Sequence, residues 1–193
     1  DGASGFGQAV LTGADAAQLS ADDEPVAVND DNYEVQEDGQ IGILALNSGG
    51  KITMRRSSVG VMGRNSCGIT AANGASIDGE QVNLSTSGEN AAAAATLDLT
   101  SVIDLSDSTM ETAASGSPCV ISAGNISLTG VSATIQKSSG VAVLPGGVVN
   151  LKNSSMVSHG DAAVKLCNIP DLQDDREADT ERKSEVYGGW VFY

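Results

Sequence analysis

A short pattern of apolar and polar residues recurs along this chain. Its first, third and eighth positions are apolar, and polar residues separate the first two apolar positions; the clearest copies are 52–59, 103–110, 126–133 and 149–156. Weaker copies begin at Val26 and Ala75, so the starts at 26, 52, 75, 103, 126 and 149 are 26, 23, 28, 23 and 23 residues apart. Alternation of this kind is typical of a strand. Short strands that repeat at a fixed interval predict stacked coils, as in a parallel β-helix.

The composition supports a repetitive all-β fold. Each unit contains a second apolar stretch, Gly, Ser and Asn separate the strands, and aromatic residues make up only 3% of the chain. A β-sandwich also has short strands and frequent turns, but it does not repeat one pattern every 23 residues. We therefore predict an all-β parallel β-helix, a solenoid of about six to seven coils with roughly 23 residues per coil.

The pattern also predicts how the chain is organised. Residues 1–168 form the β-helix, which the chain enters in mid-unit because Gln8–Gly13 resembles Val141–Gly146. The longest interval indicates an insertion of about five residues around Thr96–Thr100, whose alternation predicts an extra strand. Residues 169–193 form an acidic loop followed by a terminal strand or cap.

The charge excludes two classes of partner. Ten basic residues against 25 acidic ones give a formal net charge of −15. Nucleic-acid binding requires a basic surface, and binding to an anionic membrane surface requires clustered basic residues. No apolar run approaches the roughly 18 residues of a spanning helix. We expect no nucleic-acid partner and no membrane insertion of this segment.

The repeats, for example 149–164, resemble pectin-lyase-like right-handed β-helices. They are most similar to passenger domains of bacterial autotransporter adhesins and to β-helical carbohydrate-binding proteins of bacterial surfaces. The resemblance covers residues 5–168 and carries over no catalytic residue. It implies a secreted or cell-surface bacterial protein, more a binding segment than an enzyme, that displays loops for adhesion or for glycan and host-surface ligands. A polysaccharide lyase or glycoside hydrolase on the same scaffold, or a purely structural spacer, is the alternative.

The residues that a lyase would need have a structural explanation. They are basic side chains and carboxylates on or near the predicted strands: Arg55, Arg56, Arg64, Lys152, Asp78, Asp104 and Asp107. The alignment places Arg55 opposite Asp78 on the next coil and Arg56 beside Asp30 on the preceding one. Opposite charges on neighbouring strands stabilise pairing by roughly 0.2–1 kcal/mol. We predict ion pairs between coils here, and no catalytic residue.

The terminal aromatic residues are the candidate binding site. Tyr187, Trp190 and Tyr193, with Phe192, could stack on sugars, or they could cover the exposed edge of the last coil. No metal or other cofactor is predicted. Calcium would suit the acidic runs Asp22–Glu24, Asp30–Asp31, Glu37–Asp38 and Asp171–Glu181, but none has a recognised calcium-loop spacing.

The cysteines and the single histidine are predicted to be structural. Cys67, Cys119 and Cys167 fall in the later apolar strand of alternate units, about 9–10 Å apart by strand spacing. A disulfide needs Cα atoms within about 7 Å, so we predict free, buried thiols. His159 is predicted to be a polar turn residue, because no nucleophile motif accompanies it.

Overall fold

The computed structural model describes residues 17–160 and 162–166, together with the backbone of residues 185–187 and 190–192. In this part of the chain every regular element is a strand, and no helix is long and apolar enough to cross a membrane. Three parallel sheets stack six coils, so the predicted parallel β-helix is confirmed.

Each coil contributes one strand to each sheet. Sheet A contains β1 (Ala17–Asp22), β4 (Ile41–Leu46), β7 (Cys67–Ala72), β10 (Ala92–Thr96), β13 (Val120–Ser122), β16 (Val141–Val143) and β19 (Val164–Leu166). Sheet B contains β2 (Pro25–Asn29), β5 (Lys51–Arg55), β8 (Ser76–Glu80), β11 (Val102–Ser106), β14 (Asn125–Thr129) and β17 (Val148–Lys152). Sheet C contains β3 (Asn32–Val35), β6 (Ser58–Val61), β9 (Asn83–Thr86), β12 (Thr109–Thr112), β15 (Ser132–Ile135) and β18 (Ser155–Ser158).

The interior is a set of apolar columns. In sheet B, one column runs through Val26, Ile52, Ile77, Ile103, Ile126 and Val149, each paired with the next. Ile52, Ile77, Ile103 and Ile126 are at most 1% exposed. Among the described residues the buried polar side chains are all Ser or Thr, so no charge enters the core. Each inner side chain therefore packs on its equivalents in the coils before and after.

The prediction was wrong about the third unit. Its column residue is Ile77 and its eighth-position residue is Leu84, two positions after the predicted Ala75 and Val82. The cause is Gly79, which pairs with Met54 and Leu105 at the second inward position of the strand. Because glycine has no side chain, the alternation of apolar and polar residues is not visible in the sequence at this position. A Cβ at Gly79 would lie 2.5 Å from Leu105 Cδ2, so a leucine of the next coil fills this space. The corrected starts are 26, 25, 26, 23 and 23 residues apart.

The predicted insertion is a turn and contains no extra strand. Residues 97–101 connect β10 to β11, and their Leu97-Asp-Leu99 alternation does not pair with another strand. Asp98 holds the turn, because its carboxylate accepts hydrogen bonds from the amide and hydroxyl groups of Thr100 and Ser101. The short loop side chain satisfies local amides that a strand would have paired.

The predictions for the two ends of the chain lie mostly outside the described residues. The first described strand is β1, which pairs with β4, and the segment Gln8–Gly13, where the chain is predicted to enter in mid-unit, lies outside the described residues. At the other end, β20 (Glu185–Tyr187) and β21 (Trp190–Phe192) form an antiparallel hairpin, and β21 lies close to β17. The acidic loop of residues 169–184 lies outside the described residues.

The corner between sheets B and C keeps the hydrogen-bond ladder intact. One residue with positive φ makes the turn in each coil: Asp30, Arg56, Gln81, Asp107, Gly130 and Asn153. The left-handed conformation is costly for most side chains. In the first five coils the amide of this residue donates to a carbonyl of the following coil, for example Arg56 to Glu80 at 3.1 Å. The coil therefore turns without interrupting contact with its neighbour.

Candidate functional site

The outer face of sheet C carries small polar side chains in register. One outward column consists of Asn32, Ser58, Asn83, Thr109, Ser132 and Ser155. Side-chain hydrogen bonds join several neighbours, such as Thr109 Oγ1 donating to Asn83 Oδ1 at 2.9 Å. Parallel strands lie about 4.8 Å apart, so this face repeats hydroxyl and amide groups at that interval.

A cleft of about 330 Å³ lies beside this column. The outward positions that cross it are Glu34, Gly60, Ser85 and Glu111, on four successive coils. Gly60 and Ser85 are small, so they form a floor between two carboxylates that lie about 14 Å apart along the ladder. Met62, Ser87 and Ala113 line one side, and Met62 is 48% exposed. The cleft thus combines acceptors, hydroxyl donors and an apolar patch.

The charges on the rod are segregated by coil. Residues 51–75, the second coil, contain four basic residues and no acidic ones, whereas residues 25–50 and 76–101 are acidic. Arg56 binds Asp30 with its Nε 2.8 Å from Oδ1, as predicted. Arg55 binds both Asp78 at 2.6 Å and Glu80 at 3.3 Å. The basic coil is held between two acidic coils by these pairs.

The predicted register of one ion pair needs correction. Arg55 lies opposite Glu80 on the next strand, and Asp78 lies opposite Thr53, so the Arg55–Asp78 contact is diagonal. The same two-residue shift at Ala75 explains the error. Hydrogen bonding to the Arg56 guanidinium lowers the pKa of Asp30 from its ordinary value. These contacts engage both arginines in structural roles.

The other candidate basic and acidic residues do not converge. Arg64 has its Nε 3.7 Å from Glu89 Oε2. Asp104 is exposed on β11, Asp107 forms the following turn, and Lys152 ends β17 two coils away. Neither Arg64 nor Lys152 lines the cleft on sheet C.

The described acidic runs hold backbone turns. Asp23 Oδ1 accepts the amide of Gly49 at 3.1 Å, and Asp38 Oδ1 accepts the amide of Arg64 at 2.7 Å. Both bonds reach the corner of the following coil. Within residues 17–160 and 162–166, no three His, Cys, Asp or Glu side chains come together as metal ligands. Asp171–Glu181 lies outside the described residues.

Cys67 and Cys119 lie where the stacking predicts. They are free and buried, and strand β10 separates their strands in sheet A. They face opposite sides of the sheet: Cys119 packs in the main core, whereas Cys67 belongs to a second apolar cluster. Burial raises the pKa of each thiol to about 12. Cys167 lies outside the described residues.

His159 is an exposed bend residue after β18, and its amide donates to the carbonyl of Ile135 at 2.8 Å. This confirms its prediction as a turn residue. Of the terminal aromatic residues, Tyr187 and Trp190 pair in the backbone of the hairpin β20–β21. Their side chains, and Tyr193, lie outside the described part, so a stacking platform stays a prediction.

Comparison with protein-family models, curated proteins and solved structures found no match to this chain. The class of protein is therefore defined by the fold: a parallel β-solenoid of six coils with about 25 residues between equivalent positions. Sequence reasoning did not find the cleft on sheet C, because Gly60 and Ser85 carry no chemical signature by themselves.

Proposed function

We propose that this chain is a non-enzymatic β-solenoid segment of a bacterial surface protein, located outside the cell, which binds a glycan in the cleft on sheet C. The cleft carries the proposal, because it is a concave site that combines carboxylate and hydroxyl groups with an apolar wall. Its carboxylates accept hydrogen bonds from sugar hydroxyls, its serines both donate and accept, and Met62 offers an apolar surface to a sugar ring.

The charge of the cleft narrows the ligand class. Glu34 and Glu111 stand at its two ends, and no basic side chain lines it. The net charge of −15 adds to the repulsion of anions. A neutral or amino-sugar glycan therefore suits this site better than a polyuronate. Arg55 ends β5 and Arg56 forms the B–C corner; both are held in ion pairs and neither lines the cleft, so the lyase alternative has no site here.

The test is binding of neutral, amino-sugar and uronate oligosaccharides to the full chain, measured on a glycan array and then by calorimetry. Gly60→Leu should abolish binding, because a side chain at Gly60 fills the floor of the cleft without a close contact; its Cβ is 3.7 Å from Ser85 Oγ and 4.0 Å from the carbonyl oxygen of Tyr33. Thr53→Leu, at an exposed strand position on sheet B, is the matched control and should bind as the parent does.

The outcomes separate the alternatives. Binding that survives Gly60→Leu but is lost in Trp190→Ala would move the site to the terminal aromatic residues. Binding that is restricted to uronates, with unsaturated products released in the presence of calcium, would favour the lyase. If the chain binds no glycan, the remaining interpretation is a purely structural spacer.

A further inference from the structure

The two ends of the cleft on sheet C are carboxylates without a cationic partner. Glu34 and Glu111 lie at outward positions of β3 and β12, and both are exposed. Gln36 Nε2 donates a hydrogen bond to Glu34 Oε2 at 3.3 Å, which leaves the charge of that carboxylate in place. Within residues 17–160 and 162–166, neither glutamate forms an ion pair. The cleft therefore presents two negative charges to a ligand.

The cations of the basic second coil do not neutralise the cleft. Arg56 and Arg64 lie at the two corners that flank β6, but Arg56 is paired with Asp30 and Arg64 with Glu89. Neither arginine lines the cleft. The net charge of −15 adds a long-range attraction for cations. A positively charged ligand is therefore favoured over a neutral ligand of the same shape.

The two glutamates are separated along the axis of the rod. The ladder runs from Glu34 through Gly60 and Ser85 to Glu111, with one residue on each of four successive coils. This register places the two carboxylate residues three strand spacings apart, about 14 Å. A single small cation cannot contact both carboxylates across that distance, whereas an extended chain with a charge on each unit can. The small side chains of the floor leave room for such a chain to lie along the rod.

The rest of the lining matches a sugar chain better than a peptide or an aliphatic polyamine. Ser85 and Ser87 are exposed, and their hydroxyl groups both donate and accept hydrogen bonds. Met62 and Ala113 add an apolar surface on one side. A pyranose ring has hydroxyl groups at its edge and C–H groups on its faces, so it uses both kinds of contact at once. An extended pyranose chain also advances by about one strand spacing per sugar, so successive sugars lie over successive coils.

We propose, on the basis of the glycan-binding function proposed above, that the cleft binds an oligosaccharide of amino sugars with free amino groups. The chain lies along the rod, and its ammonium groups contact Glu34 and Glu111. Hydrogen bonds from ammonium to carboxylate groups are shorter and stronger than those between neutral groups. A chain of four sugars spans three intervals, the number of strand spacings that separates the two glutamates. Four sugars are therefore the shortest chain that reaches both carboxylates.

The test compares glucosamine oligomers with their N-acetylated counterparts, which have the same rings and the same length but no charge. Binding of the dimer, tetramer and hexamer to the full chain is measured by calorimetry at about pH 5.5, where the amino groups are protonated and both glutamates are ionised. The glucosamine tetramer should bind more tightly than the dimer, and the hexamer should gain little more. The N-acetylated tetramer should bind up to about 25-fold more weakly, about fivefold for each exposed ion pair that it lacks.

Glu34→Gln and Glu111→Gln should each weaken binding of the glucosamine tetramer about fivefold and leave binding of the N-acetylated tetramer unchanged. The double variant should remove the difference between the two ligands. Glu24→Gln/Asp104→Asn is the matched control, because it removes two charges from exposed positions outside the cleft; it should bind as the parent does. An equal loss in this control would show that net charge alone attracts the ligand, and would overturn the proposal.

The remaining outcomes separate this inference from the proposed function. If the two tetramers bind equally and Gly60→Leu abolishes binding of both, the glycan site is supported and the charged ligand is overturned. If tetralysine binds as tightly as the glucosamine tetramer and depends on the same two glutamates, the cleft recognises cationic chains in general and the sugar is overturned. If no oligosaccharide binds, the proposed function and the amino-sugar ligand are both overturned.

Discussion

The packing of Leu105 into the space above Gly79 is the most exacting test of coil stacking. Gly79→Ala would place a Cβ 2.5 Å from Leu105 Cδ2, where an ordinary carbon–carbon contact is about 3.5–4.0 Å. Overpacking costs about 1–3 kcal/mol, and loss of glycine flexibility in a strand returns roughly 0.5–1 kcal/mol. We expect Gly79→Ala to lower the free energy of unfolding by about 1–2 kcal/mol.

The second half of this prediction is a double-mutant cycle. Leu105→Ala alone should cost about 2–5 kcal/mol, because it leaves a cavity beside Gly79. In that background Gly79→Ala no longer meets Leu105 and partly fills the cavity, but its Cβ still lies 3.1 Å from Val82 Cγ2, so its effect on stability should be close to neutral. The coupling free energy between the two changes should therefore be about 1–2 kcal/mol and favourable.

The assay is urea unfolding of the parent, the two single variants and the double variant, followed by far-ultraviolet circular dichroism. The four proteins must share the same slope of unfolding free energy against urea concentration, so that their midpoints can be compared. Gly60→Ala is the control, since its Cβ meets no atom closer than 3.7 Å; it should be neutral or slightly stabilising. Additive effects at Gly79 and Leu105, within about 0.5 kcal/mol, would show that these residues do not touch and that the register between coils three and four is wrong.

Three further predictions concern the corners. Ser108→Ala removes the acceptor of the Val82 amide and should lower the free energy of unfolding by about 1–3 kcal/mol in the same urea assay. Burial raises the pKa of Asp98, but hydrogen bonds from Ser101, from Thr100 and from the amide of Asn73 in the preceding coil outweigh burial and lower the pKa overall. The ionised carboxylate of Asp98 therefore stabilises the fold at pH values above its ordinary pKa of 3.8, and this effect is lost as the pH falls through its lowered pKa in the folded protein. The Tm difference between the parent and Asp98→Asn should shrink below about pH 4. Arg56→Gln should return the pKa of Asp30 towards its ordinary value in an NMR titration.

The apolar columns were predictable where both inward positions of a strand carry large side chains. Two large inward residues two positions apart predict both a strand and its register, because only one alignment with the neighbouring strand places both of them in the core. Examples are Ile103 with Leu105 and Ile126 with Leu128. In the third unit Gly79 takes the place of one large inward residue, so the apolar pair Ala75 and Ile77 was mistaken for the two inward positions of the strand. The signal failed because the missing volume is supplied by Leu105 of another coil, which sequence periodicity within one unit does not report.

Sequence reasoning missed the turn at Asp98 and the cleft on sheet C for different reasons. Leu97 and Leu99 alternate with polar residues as a strand does, yet Leu99 is 63% exposed because local hydrogen bonds to Asp98 hold a turn. The cleft is a gap produced by two small residues, Gly60 and Ser85, in adjacent strands. Only the true register aligns them, and the predicted third unit was displaced by two residues.

The corner serines indicate that the structural repeat is a pair of coils. At the corner between sheets B and C, Ser57, Ser108 and Ser154 occur in coils two, four and six, and each accepts an amide of the preceding coil. The equivalent positions in coils three and five are Val82 and Val131, which are buried.

The corner between sheets C and A has the same arrangement in coils two and four, since Ser66 and Ser117 accept the amides of Gln40 and Ala91. Burial of a hydroxyl group costs free energy unless the group forms a hydrogen bond, and here each buried serine accepts one from an amide that would otherwise be unpaired. Removal of coil four alone would remove Ser108 and bring Val131 next to Val82, so the Val82 amide would lose its acceptor. Removal of two coils would preserve every such bond, so solenoids of this design should grow and shrink by coil pairs.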